Sequence, residues 1–247
     1  MSDLIEEYQR SGDRARLREF YGQESYVRLY DAAKPKWTAK FEILARVMNL
    51  SAGDRVLDVG CAAQHFRPFV ERFDAVYSCV DISPGFNPDY LTDAETLDGV
   101  PSDAFEWVLI SDVLEHLPDP VAALNAAARV GRNLVTVVPN WYHLDRFTWL
   151  RHHPGDRHIT RLPPRKWLGL HSASGWATTT FRGFYYVPSI AFYPWYPLRL
   201  FDGLMRKSPL HGFSSVIDNN WAHLPGIRVA GQELIVIATR TERAGGP

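Results

Sequence analysis

The hydrophobic positions of this chain change their period near residue 53 and their character again near residue 140. Over the first fifty residues they fall at helical intervals among charges: Leu4, Ile5 and Tyr8, then Leu17, Phe20 and Tyr21. Pro35 can open a further helix in which Phe41, Ile43, Leu44, Val47 and Met48 form one apolar stripe. Gly53-Asp54 then predicts a turn. Beyond it, short apolar runs predict five strands: Arg55–Asp58, Ala75–Asp81, Tyr90–Thr92, Phe105–Ser111 and Asn133–Val138. Helical stretches lie between them, one from about Gln64 to Arg72 and one over PVAALNAAARV (120–130). The second has Asp119 placed as N-cap and Pro120 as first helical residue. Strands alternating with helices need crossover connections, which predicts a parallel, doubly wound sheet.

Past Asn140 the composition shifts: residues 141–221 hold 17 of the 32 aromatic residues. A helix is expected over Pro164–His171, and Thr178–Tyr186 and Glu233–Thr239 read as two late strands, completing seven. The expected fold class is α/β. It is a doubly wound, mostly parallel, seven-stranded Rossmann-like sheet with N-terminal helices and an aromatic-rich C-terminal insertion. The chain divides into a helical cap (1–50), a first half of the sheet (51–140) and a second part with late antiparallel strands (141–247).

Composition narrows the partners. The chain has 247 residues, 46% hydrophobic and 22% charged, which suits one large α/β domain with its own core. A net charge of −1 argues against a protein that grips nucleic acid by neutralising phosphates over its whole surface. Two cysteines, Cys61 and Cys79, are too few for a disulfide scaffold; they read as small buried fillers in a reducing, cytoplasmic compartment. The first residues carry acids and no apolar stretch, so no secretory signal is expected there. The uncharged run GFYYVPSIAFYPWYPL (183–198) is broken by Pro188, Pro194 and Pro197 and is too short to span a bilayer as a helix. Peripheral contact with lipid stays open.

In an open α/β sheet, ligands bind beyond the carboxyl ends of the strands, where strand order reverses. Here the first strand ends in Asp58-Val-Gly60-Cys-Ala-Ala-Gln-His65-Phe66, and the second ends in Asp81. A glycine lets backbone approach a ligand, and an acid about 20 residues on can accept both ribose hydroxyls, which points to an adenosine-type ligand. A dinucleotide site wants three glycines and a P-loop wants GxxxxGK[ST]; this loop has neither.

Five segments in order, VLDVGCAAQHF, VDIS, DAETL, FEWVLISDVLEHLPDP and LVTVVPN, resemble a class I S-adenosylmethionine (SAM)-dependent methyltransferase of the small-molecule type. That group includes the ubiquinone-pathway O-methyltransferases. The resemblance covers residues 51–140 and continues more weakly over 156–176. It implies methyl transfer from SAM to a small-molecule acceptor, foremost a hydroxyl, with 51–140 binding the cofactor and 141–247 facing the acceptor. Residue by residue, it implies that Asp58, Gly60, Cys61 and Ala62 shape the loop under the methionine part of SAM. Asp81, followed by Ile82, would hold the ribose hydroxyls. Asp93 would accept the adenine amino group, and Ala94 would donate its N–H to the ring. Ser111 and Val113 would pass close to the sulfonium, with His116 at the rim.

The loop departs from the family's Gly-Cys-Gly-x-Gly, because it reads Gly60-Cys61-Ala62-Ala63-Gln64. A side chain at position 64 disfavours positive φ, so either the loop bends differently and Gln64 reaches the SAM carboxylate, or SAM binding is weakened. A rival of another class follows: a methyltransferase-fold binding or scaffolding protein without catalysis. For the enzyme, a histidine base would assist a hydroxyl acceptor, with His158 the first candidate and His143 the second. Arg146, Arg151, Arg157, Arg161, Arg165 and Lys166 face only Asp156. That stretch is either a solvated basic face or, through Arg157 and Arg161, a fork for an anionic or sugar-like acceptor. The aromatic run 184–201 reads as core packing, as a lid that sets Tyr185 against the acceptor, or as an interfacial membrane contact. No metal is expected, since the histidines are scattered and lack carboxylate partners at ligand spacing.

Overall fold

The computed structural model describes residues 35–140, 158–184, 220–229 and 231–241, with Glu19 as an isolated helical position. The helices are α1 (Pro35–Met48), α2 (Arg67–Glu71), α3 (Pro120–Val130) and α4 (Pro164–Ala173). The strands are β1 (Arg55–Val59), β2 (Val76–Asp81), β3 (Tyr90–Leu91), β4 (Phe105–Ser111), β5 (Gly131–Pro139), β6 (Trp176–Phe184) and β7 (Glu233–Arg240). The helical pattern expected over residues 4–21 lies outside the described residues, Glu19 apart.

The seven strands form one sheet in the order β3-β2-β1-β4-β5-β7-β6. β1 to β5 pair in parallel, and β7 runs antiparallel between β5 and β6. The chain starts mid-sheet at β1, steps outward to β3, then returns to the other side of β1 with β4. That reversal opens a crevice beyond the carboxyl ends of β1 and β4.

Adjacent residues of a strand go to opposite faces, and the centre of the sheet is covered on both, so β1, β4 and β5 bury apolar residues toward each face. On one face Leu57, Val59, Val108, Ile110, Leu134 and Val138 pack with Leu124 and Ala127 of α3 and Trp167 of α4. On the other, Val56, Leu109, Val135 and Val137 pack with Ile43, Leu44 and Met48 of α1 and Val70 of α2. Each such buried Leu, Ile, Val or Met side chain contributes about 1.5–3 kcal/mol.

Local chemistry sets the element ends. Asp119 Oδ1 accepts the N–H groups of Val121 and Ala122, each at 3.0 Å, and so caps α3. α2 is shorter than the expected Gln64–Arg72, because Ala62 (φ 44°) and Gln64 (φ 57°) are left-handed and hold the preceding residues in turns. β6 starts at Trp176, whose indole N–H donates to the Leu124 carbonyl at 3.0 Å and fixes that end of the strand against α3. The buried His171 joins α4 to β5. Its Nδ1 lies 2.8 Å from the Trp167 carbonyl and so donates, leaving Nε2 to accept from the Thr136 hydroxyl at 2.9 Å. Burial pushes its pKa down, consistent with a neutral structural ring. Among the described residues no helix is long and apolar enough to cross a membrane.

Candidate active site

A cleft of about 340 Å³ opens beyond the carboxyl ends of β1, β2 and β4. At its floor Gly60 takes φ +77°, and a Cβ there would lie 2.3 Å from Val113 Cγ2. Conformation and space both demand glycine. The loop is then tied to β2: Gly60 N–H donates to the Val80 carbonyl at 2.8 Å, and Ala62 N–H donates to Asp81 Oδ2 at 2.9 Å. Ser83 N–H holds the other Asp81 oxygen at 2.8 Å. Burial outweighs these hydrogen bonds and raises the Asp81 pKa. Asp58 accepts the Tyr77 hydroxyl at 2.7 Å. Its pKa is pushed up to about 7, by burial foremost and also by Asp81, with the Tyr77 bond acting in the opposite direction. Asp93 Oδ1 accepts the Glu95 N–H at 2.8 Å, which fixes the carboxylate beyond β3.

Asp58, Gly60, Cys61, Ala62, Asp81, Ile82, Asp93, Ala94, Ser111, Val113 and His116 all line the cleft. Gln64 does not, and its expected reach toward a bound carboxylate is corrected. Its Nε2 donates to the Phe86 and Asn87 carbonyls at 2.9 and 3.2 Å, while its Oε1 accepts from Arg67 at 2.7 and 3.1 Å. The loop therefore keeps left-handed backbone at 62 and 64 without glycine. The strain, about 1–2 kcal/mol per residue, is offset by those bonds and by Ala62 N–H on Asp81. Cys61 and Cys79 are buried free thiols.

Sequence reasoning missed the wall that α1 contributes, with Trp37, Lys40 and Phe41, and it missed His65, Asp112 and Glu233. Lys40 is buried and ion-paired with Asp112 after β4 and with Glu233 Oε2 at 3.3 Å at the start of β7. Burial opposes its charge, but the two carboxylates outweigh burial and raise its pKa. Trp37 and His65 approach with ring centroids 5.8 Å apart. A signal for Lys40 existed: it sits three and four residues before Ile43 and Leu44, a charge on the apolar stripe.

Behind His116 the fold makes a cluster that spacing did not suggest. The Glu115 carbonyl accepts N–H groups from Ile159 and Thr160, each at 2.9 Å, which draws His158 in. His158 Nε2 then lies 3.8 Å, and His116 Nε2 4.0 Å, from Glu115 Oε1. The expectation that the histidines lack carboxylate partners is thereby corrected, because partners far apart in sequence meet through this backbone clamp. His158 is not on the cleft lining; it lies behind His116, the two rings tilted by 40° with centroids 4.8 Å apart. Arg161, Arg165 and Lys166 are exposed, and Arg161 Nε donates to the His158 carbonyl at 3.1 Å. His143, Arg157 and Tyr185 lie outside the described residues, as does the aromatic run beyond Phe184.

The donor set fits SAM. Five carboxylates line the cleft, those of Asp58, Asp81, Asp93, Asp112 and Glu233, and Lys40, the one lysine or arginine among the described residues that line it, is already paired with the last two. Such a surface suits a cationic sulfonium and an adenosine rather than phosphates. Sheet order, the inserted antiparallel β7 and this cleft define a class I SAM-dependent methyltransferase fold. The methyltransferase-domain profile matches residues 31–180, and the chain belongs to that family. It is similar to ubiquinone biosynthesis O-methyltransferases from Xanthomonas oryzae, at 31% identity over 93 residues, and from Xanthomonas axonopodis, at 32% over 91. Those matches cover 32% and 31% of this chain but only 39% and 38% of the relatives. Among solved structures, a SAM-dependent methyltransferase from Archaeoglobus fulgidus superposes with TM-score 0.58 at 18% identity, over 88% of this chain and 100% of that one. Phosphoethanolamine N-methyltransferase 2 from Haemonchus contortus, solved in complex with SAM, gives 0.58 at 13% identity, over 91% of this chain and 60% of that one. At such identities these structures speak for the fold.

Proposed function

We propose that this protein transfers a methyl group from SAM to a hydroxyl of a small-molecule acceptor. The observation that carries the reading is the Gly60–Ala62 loop bonded to Asp81, which sets a carboxylate at the end of β2 beside a glycine-floored cleft. In this reading Asp58 and the loop hold the methionine part, Asp81 the ribose and Asp93 the adenine. The bound SAM supplies an electrophilic methyl group; the protein's share is to hold the acceptor in line and accept its proton. Similarity to the ubiquinone biosynthesis O-methyltransferases favours oxygen as the acceptor atom. His158, with His143 as the second candidate, is the histidine on which the acceptor's proton comes to rest. The part of the chain beyond residue 140 is the acceptor side. Arg157 and Arg161, with Tyr185, recognise an anionic or sugar-like acceptor.

Calorimetry with SAM and its demethylated product tests the first half of this reading: micromolar binding lost in Asp81→Ala supports it, and no binding to the intact protein overturns it. Labelled SAM with a panel of phenolic, sugar and carboxylate acceptors tests the second. Arg161→Glu should raise the acceptor KM and leave SAM affinity unchanged. The rival reading, a methyltransferase-fold binding protein, draws on the non-glycine residues Ala62 and Gln64 at left-handed positions. It expects SAM binding without turnover on any acceptor.

A further inference from the structure

Glu115 is buried, its side chain 1% exposed, and neither carboxylate oxygen has a hydrogen-bond partner among the described residues. A carboxyl kept that way is costly unless its neighbours use it. Its neighbours are the imidazoles of His158 and His116, at 3.8 and 4.0 Å from Oε1. Those distances are too long for hydrogen bonds, yet catalytic contacts commonly stay long until substrate binds. The arrangement is anchored by backbone, since Glu115 O holds Ile159 and Thr160, and the Thr160 hydroxyl donates to the Leu117 carbonyl at 2.9 Å. His116 lines the cleft and His158 does not, so Glu115 connects the rim to the interior.

The surrounding charges leave room for one shared proton. Asp112 beyond β4, Glu233 of β7 and Lys40 of α1 also act on Glu115. Burial foremost, then Asp112, push its carboxyl well above the ordinary range. Two imidazoles with centroids 4.8 Å apart resist carrying charge together. We propose that Glu115 is a positioning residue that shares a proton with His116 and His158, keeping the imidazole at the cleft rim neutral and able to take the acceptor's proton. The proposal rests on the methyl-transfer reading. The acceptor's O–H bond breaks, its electron pair stays on oxygen, and the proton goes to His116. His116 passes its other ring proton to Glu115, and Glu115 releases its own to His158. Glu115 ends as it began, and the added charge rests on His158, away from the cationic cofactor.

The test is an NMR titration of the His116 and His158 ring protons in the intact protein, without cofactor or acceptor, in wild type and Glu115→Gln. Replacing the proton-sharing carboxyl by an amide should uncouple the two rings and move their midpoints relative to wild type; midpoints that do not move overturn the proposal. His158→Asn provides a second arm that spares Glu115: removing the like-charged neighbour should raise the His116 midpoint, and an unchanged value overturns the proposal. In turnover, Glu115→Gln should lower kcat about 100-fold or more with acceptor KM unchanged and shift the acid limb of the pH profile. A KM change alone overturns it. Coupled titrations in a protein that methylates no acceptor would sink the functional reading while leaving the proton sharing intact. Saturable shifts of both histidines by Mg²⁺ or Zn²⁺, with activity lost to a chelator, would assign the three side chains to a metal and overturn the proposal.

Discussion

Lys40 of α1 and Glu233 of β7, near opposite ends of the chain, form a buried ion pair at 3.3 Å beside the cleft. Asp112 completes the pair from the end of β4. The helix that walls the cofactor cleft is thus pinned to the sheet by charge as well as by its apolar stripe.

Removing the cation takes the counter-charge from the buried Glu233 carboxylate and leaves it beside the part-exposed Asp112. Lys40→Met should therefore lower stability by about 3–5 kcal/mol, read by chemical denaturation. A variant as stable as wild type would mean the ion pairs do not form in solution.

Asp58 makes stability and binding depend on pH. Its folded pKa, about 7, lies above the ordinary 3.8, so between those values the folded state holds a proton that the unfolded chain has lost. Stability from this group is present below pH 4, falls as pH rises toward 7, and is level above that. Asp58→Asn should remove the slope in a denaturation series. A cation bound beside Asp58 prefers the ionised form, so SAM affinity should rise about tenfold from pH 6 to pH 8. Tyr77→Phe deletes the bond that favours ionisation and should move this rise to higher pH.

Ala62 occupies left-handed backbone while its N–H stays on Asp81. Ala62→Gly keeps the bond and relieves the strain, so it should stabilise the protein by about 1 kcal/mol with SAM affinity undiminished. Gln64→Gly gains similar relief but loses side-chain bonds to Phe86, Asn87 and Arg67, each worth about 0.5–1.5 kcal/mol. Its thermal stability should not exceed that of wild type, and a rise would deny those bonds their role.

Gly60→Ala meets two obstacles, the contact with Val113 and φ +77°. It should abolish measurable SAM binding. Val113→Ala in the same chain removes the clash but not the backbone strain, so binding should return only in part. Calorimetry on both variants separates the two causes.

Much of this molecule was legible in the chain because its signals are local. The period-two runs, Asp119-Pro120 before α3 and the breakers around each strand are properties of neighbouring residues, and they located β4 and α3 to the residue. Motif order carried the cleft-lining residues from Asp58 to His116 for a similar reason: in a doubly wound sheet, successive strand ends converge at the reversal point. Gln64 escaped this logic. Its side chain is directed by the Phe86 and Asn87 carbonyls, which only the fold brings near.

The sequence by itself determined the doubly wound sheet, the adenosine-type loop and the acids that line it, since each follows from alternation, turns and spacing along one stretch of chain. Tertiary structure alone decided that α1 walls the cleft through Lys40, and that His158 stands behind His116 against a buried Glu115. Such contacts join residues far apart in sequence, and what selects them is the cost of burying an uncompensated charge, which no local pattern records.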